Sequence, residues 1–97
     1  MRVIARKTLK DYWEKVPAAE QGLKAWFAET EDADWSTPAD VKAQYGNASI
    51  LKDGRVVFNI CGNKFRLVVR INYPFRIVYV RFVGTHAEYD EIDAQTI

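Results

Sequence analysis

Residues 49–83 constrain the fold more than any other part of the chain. Four apolar runs are separated there by three turn signals: Asp53-Gly54, Gly62-Asn63 and Asn72-Tyr73-Pro74. Asp-Gly between apolar runs marks a two-residue type I′ hairpin, because both central positions need a positive φ. The expected strands are 49–52, 55–61, 64–72 and 75–83. Connections this short allow only antiparallel neighbours, so the second half of the chain reads as a meander.

The third run also says which way its side chains point. Phe65, Leu67, Val69 and Ile71 alternate with Lys64, Arg66, Val68 and Arg70. Side chains alternate across a strand, so the first set faces a core and the second set puts three cations on the opposite face. On the following strand Arg76 and Arg81 have opposite parity. They share a face only if a bulge intervenes, and the register decides which of them joins Lys64 and Arg66. Cys61 falls at the end of a strand and reads as a small buried hydrophobe.

The first half supplies the layer that such a sheet needs. Arg2 to Ala5 contains a short apolar run fit for a first strand. Thr8 is placed to cap a helix in which Leu9, Tyr12, Trp13 and Val16 form one apolar stripe. Pro17 breaks that helix and suits the first turn of the next, whose stripe is Leu23, Trp26 and Phe27. Thr37, Pro38 and Asp40 fit the N-cap, N1 and N3 positions of a third, short helix from Pro38 to about Tyr45, with Gly46 as its stop. Helices first and strands afterwards, with no linker or repeat, give a single α+β domain over residues 1–97.

Charge is distributed unevenly although the net value is only +1. Lys52, Arg55, Lys64, Arg66, Arg70, Arg76 and Arg81 face Asp53 alone between residues 52 and 81, and the residues after Phe82 include no Lys or Arg. A basic sheet face of this kind fits an anionic partner such as RNA. Directly after the last strand, Thr85 and Glu88 form a capping box that places His86 and Tyr89 on neighbouring surface. Asp90 is expected to support the cap region. Cleavage of RNA by attack of a 2′-OH on the adjacent phosphate needs a base, an acid and cations for the charge that builds on phosphorus. His86 is the only histidine and supplies proton transfer near neutral pH. Tyr89 would orient the nucleophile or donate a proton. Arg66, with Lys64 beside it, would hold the phosphate, and Arg81, Arg70, Arg76 and Asn63 are expected to contact RNA.

Several classes are excluded. One Cys and one His cannot fill a tetrahedral zinc site, and no Gly-rich phosphate loop or nucleophile elbow is present. No metal and no cofactor is expected. No apolar run approaches the roughly 20 residues of a membrane span, and the N-terminus lacks the apolar centre of a secretory signal, so a cytoplasmic protein with no membrane partner is expected.

Two longer stretches carry a family resemblance. Val57-Phe58-Asn59-Ile60-Cys61-Gly62-Asn63-Lys64-Phe65-Arg66-Leu67-Val68 and Val80-Arg81-Phe82-Val83-Gly84-Thr85-His86-Ala87-Glu88-Tyr89-Asp90 resemble the HigB-type toxins of bacterial type II toxin–antitoxin systems. Ile4 to Lys10 and Pro38 to Lys42 look like the same family. The resemblance implies a RelE-like fold, with helices on one face of a small antiparallel sheet. It implies an mRNA interferase that cuts mRNA on the ribosome, with contacts to ribosomal RNA. It also implies neutralisation by a HigA-type antitoxin, through which alone operator DNA would be bound. The positions matching the family's active face are Lys64, Arg66, His86 and Tyr89. The competing reading is a non-catalytic module that blocks translation by occupying RNA or the ribosome.

Overall fold

The alternating runs form one five-stranded sheet in the structure, a computed structural model that describes residues 1–97. The elements in chain order are β1 (Arg2–Ile4), α1 (Arg6–Lys15), a 3₁₀ turn (Pro17–Ala19), α2 (Glu20–Asp32), α3 (Pro38–Gln44), β2 (Ser49–Ile50), β3 (Arg55–Ile60), β4 (Phe65–Asn72), β5 (Ile77–Thr85) and α4 (His86–Tyr89). The fold is α+β. The strand order is β1-β5-β4-β3-β2, antiparallel throughout the meander. β1 completes it by pairing parallel with β5, Val3 opposite Val78.

Three helices cover one face. Leu9 and Trp13 of α1, Leu23 and Trp26 of α2, and Val41 of α3 meet Val56, Phe58, Leu67, Val69 and Val78 of the sheet. Phe58 sits at the centre of an aromatic cluster, its ring 5.4 Å from Trp26 and 5.1 Å from Tyr45. Each such buried side chain contributes about 1.5–3 kcal/mol, so this layer dominates stability. No helix is long and apolar enough to cross a membrane.

Local signals decide most element ends. The box at α3 is complete: the Thr37 hydroxyl accepts from the Asp40 amide, and the Asp40 carboxylate accepts from the Thr37 and Ser36 amides and the Ser36 hydroxyl. Those donors, the Ser36 amide foremost, hold the Asp40 carboxyl below the ordinary carboxylate value. Asp53 and Gly54 both take a positive φ, at 56° and 77°, as a type I′ hairpin requires.

Several expectations need correction. α1 begins at Arg6 with Ala5 as an N-cap that makes no side-chain bond, so Thr8 lies inside the first turn and caps nothing. Gly46 is not left-handed, and α3 ends in the extended-side backbone of Tyr45 instead. The β3–β4 turn is built on Cys61 and Gly62, at φ 54° and 67°, one residue earlier than Gly62-Asn63. Cys61 is therefore an exposed turn residue, not a buried one. β5 starts two residues late because Tyr73–Arg76 form the turn, which the Asn72 side chain closes by accepting from the Phe75 amide at 3.2 Å. The two edge strands are also short, β2 spanning only Ser49–Ile50.

Candidate functional site on the uncovered sheet face

The face turned away from the helices carries Arg55 and Asn59 of β3, Arg66, Val68 and Arg70 of β4, and Tyr79 and Phe82 of β5, as their pairing shows. The register slips once, between Val68 opposite Phe82 and Val69 opposite Val80. Arg81 is the extra residue of that bulge. A bulge re-aims the side chain it carries, and here Arg81 lines the same groove as Tyr79 and Arg70. The parity conflict between Arg76 and Arg81 is thus resolved in favour of Arg81. Arg76 lies in the preceding turn and turns to the helical side, where its Nε donates to Asp34 at 2.6 Å.

The middle of this face is not open. Val57 and Val68 are buried beneath the C-terminal segment, with Ala94, Ile92, Ile97, Phe82 and Tyr89 around them. Arg55 fastens the segment by donating to the carbonyl oxygens of Ile97, at 3.0 Å, and Thr96. The cationic face is thereby divided into two ends.

One end gathers Lys64, Arg66, His86 and Tyr89. The His86 amide donates to the Lys64 carbonyl at 3.2 Å, which ties α4 to the start of β4. α4 is set by its capping box: the Glu88 amide donates to the Thr85 hydroxyl, and the Glu88 carboxylate accepts from the Thr85 amide at 2.8 Å. The Thr85 amide is the main reason the Glu88 carboxyl is held low. The Tyr12 hydroxyl reaches the same carboxylate from α1, and burial, then that negative charge, pushes the Tyr12 phenol up.

His86 is exposed, and its Nδ1 lies 3.1 Å from Asp90 Oδ2, one helical turn on. With the proton on Nδ1, that contact leaves Nε2 free to accept a proton from a substrate. Tyr89 is half-buried against the small apolar cluster. Arg66 folds over the β3–β4 turn, donating to the carbonyl oxygens of Asn63 and Phe65 at 3.2 and 3.3 Å. Asn63 thus supports Arg66 through its backbone.

The other end holds Arg70 and Arg81, grouped with Tyr79 around a groove of about 610 Å³. Of the residues expected to touch RNA, two are here, Asn63 is with Arg66, and Arg76 is on neither. No three His, Cys, Asp or Glu side chains cluster to hold a metal ion.

Sequence reasoning gave Asp90 only a role in the cap region, not as the partner of His86, and passed over Tyr79. The i, i+4 spacing of His86 and Asp90 was a usable signal for the first. For Tyr79 the signal was its place between the apolar Val78 and Val80, which turns it to the opposite face.

Comparison with known proteins identifies the family. Residues 19–92 match the HigB_toxin family, described as a RelE-like toxic component of a toxin–antitoxin system. The mRNA interferase toxin HigB of Escherichia coli is 34% identical over 92 residues, covering 93% of this chain and 88% of the relative. The mRNA interferase HigB of Shigella flexneri gives the same 34% over 92 residues, again 93% and 88% of the two chains. An mRNA interferase HigB from another Escherichia coli strain is 24% identical over 94 residues, covering 95% and 91%. The chain belongs to the HigB toxin family, the RelE-like toxic components of toxin–antitoxin systems.

Proposed function

We propose that this chain, as a single domain over residues 1–97, is an mRNA endoribonuclease that arrests translation by cutting mRNA on the ribosome in the cytoplasm. The observation that carries the reading is the exposed His86–Asp90 pair on α4, whose His86 amide donates to the Lys64 carbonyl and whose helix follows directly on the Arg66–Gly84 pairing of β4 and β5. The names of the relatives, mRNA interferases, support the substrate class.

In this reading no metal takes part. His86 Nε2 takes the proton of a ribose 2′-OH, and the freed oxygen attacks the adjacent phosphorus. The bond to the 5′-oxygen breaks, and that oxygen leaves with a proton, giving a 2′,3′-cyclic phosphate and a 5′-hydroxyl. Arg66 and Lys64 balance the extra negative charge on the phosphorane. Tyr89 orients the nucleophile or protonates the leaving oxygen. A HigA-type antitoxin would neutralise the toxin and carry any contact with operator DNA.

Primer extension on mRNA after induction tests the reading. Discrete cuts in phase with codons are expected, and arrest without any cut would favour occupancy of the ribosome instead. In single-turnover cleavage of ribosome-bound mRNA, His86→Ala and His86→Gln are expected to lose about 10²–10⁴-fold. Wild-type rates in both would move proton transfer away from His86. Co-purification with a small helix-turn-helix protein encoded next door tests the partner, with an interface above ~1,000 Å² expected.

A further inference from the structure

We propose that the groove beside the β2–β3 turn is a guanine nucleotide site, in which Asp53 and Arg81 read the base and Tyr79 stacks on it. The placement of that nucleotide within an mRNA strand rests on the cleavage reading, whereas the binding itself does not.

The groove has the size of a small-molecule site, about 610 Å³. Asp53, Arg70, Asn72, Tyr73, Tyr79 and Arg81 are its polar and aromatic walls, with Leu51 among the apolar ones. Its geometry is fixed before any ligand arrives. The Gly54 carbonyl accepts from the Ile71 amide at 2.8 Å, and the Asp53 carbonyl accepts from Arg70 Nε at 3.1 Å, so the turn is clamped to β4.

The charged groups are nevertheless unspent. The Arg81 guanidinium and the Asp53 carboxylate take part in none of the chain's ion pairs. Asp53 stands on the β2–β3 turn and Arg81 on β5, and the two form no ion pair with each other. Tyr73, another wall, has a buried hydroxyl with no hydrogen-bond partner. A structure that brings an unpaired carboxylate and an unpaired guanidinium to one aromatic-lined cavity matches a ligand with donors on one edge and acceptors on the next.

Guanine has that pattern. Its N1–H and N2–H₂ groups donate, as a carboxylate requires, and its O6 and N7 accept from an arginine. Adenine would turn its N1 acceptor toward Asp53 and repel it. A half-buried tyrosine ring supplies the flat apolar surface on which a base stacks. Arg70, held by its Nε, keeps its remaining donors for the phosphate. Arg66 lies four residues from Arg70 along β4, roughly 13 Å at ~3.3 Å per residue. The C-terminal segment over Val68 lies between them, so a strand held at the Arg66 end reaches the groove by passing around that segment, which makes the groove a sequence-reading subsite apart from the scissile phosphate.

Isothermal titration of the purified full chain with 5′-GMP, 5′-AMP and 5′-UMP tests the site without any cleavage. GMP is expected to bind at least about tenfold more tightly than AMP, the discrimination of one good base contact. Asp53→Asn should remove most of that preference. Asn tolerates the positive φ at this position, so the variant is expected to melt like wild type. Tyr79→Ala should weaken both purines about tenfold by loss of stacking.

The trinucleotides UGU and UAU identify the source. Tighter binding of UGU than of GMP assigns the groove to an RNA strand, and the reverse order assigns it to the free nucleotide. Equal affinity for GMP and AMP, no binding at millimolar nucleotide, or an unchanged GMP preference in a folded Asp53→Asn chain would each overturn the proposal. A chain that binds GMP selectively but leaves ribosome-bound mRNA uncut would refute the cleavage reading and keep this one.

Discussion

Replacing Gly54 by Ala should be far more damaging than replacing Gly62, although both glycines are left-handed. Gly54 has φ +77° and Gly62 has φ +67°. For an L-residue that conformation costs roughly 1–2 kcal/mol, and both variants incur it. Their surroundings differ. A Cβ at Gly62 would meet nothing within 4 Å, whereas at Gly54 it would lie 2.5 Å from the Ile71 carbonyl oxygen.

That oxygen belongs to the paired backbone of β4 and cannot rotate away. Relief requires the β2–β3 turn to lift from the sheet, breaking the Ile71–Gly54 hydrogen bond and loosening the one from Arg70 to Asp53. Each bond contributes about 1 kcal/mol net. Gly62→Ala should therefore cost ~1–2 kcal/mol and Gly54→Ala about 3–4.

Urea unfolding followed by fluorescence of the three tryptophans reads the difference directly. In a thermal melt, each kcal/mol should appear as a Tm drop of ~4–8 °C for a domain of this size. If the two variants lose equal stability, the close approach of the turn to β4 is wrong. The rigid wall assigned to the groove goes with it.

Three further outcomes are expected. Arg66→Ala should melt like wild type, since the side chain lies off the core, yet lose growth arrest, because one missing donor raises the barrier by ~3 kcal/mol; full arrest by a folded variant refutes its role. Val68→Ala should cost about 1–3 kcal/mol, because Val68 is fully buried under the C-terminal segment, and a loss below ~0.5 would mean that the segment does not pack there. The Asp40 and Glu88 carboxyls are both held below their ordinary values, so the stability they confer is present above the usual carboxylate range and is lost as pH falls through their lowered values. Melting temperature should thus fall more steeply below about pH 4 in wild type than in an Asp40→Asn, Glu88→Gln double variant, and parallel curves would contradict the capping account.

What could be read from the chain was what neighbours in sequence decide. Asp53-Gly54 dictates its own turn, and the Thr37–Asp40 and Thr85–Glu88 boxes each close within one helical turn. The inward set Phe65, Leu67, Val69 and Ile71 follows from the pleat alone. Arg81 was legible only as a parity problem, because a bulge is decided by which residue stands across the ladder. Arg76 was lost to Asp34, 42 residues away, a partner that no local pattern indicates. Cys61 looked like core because it ends an apolar run, yet the four-residue turn between Ile60 and Phe65 needs a left-handed residue there. The covering of Val57 and Val68 was equally hidden, since an alternating strand predicts one solvated face and the C-terminal segment fills part of it.

The pairing of β1 with β5 bears on when the protein can act during its own synthesis. Residues 2–4 leave the ribosome well before their partners at 77–79. A contact between such distant segments forms only after the intervening chain has been ordered. Arg81, His86 and Asp90 all follow those partners in the chain. A growing polypeptide thus holds a helical layer and half a sheet but no assembled site. In the proposed role, toxicity would be absent from the nascent chain until β5 and α4 have been made and docked.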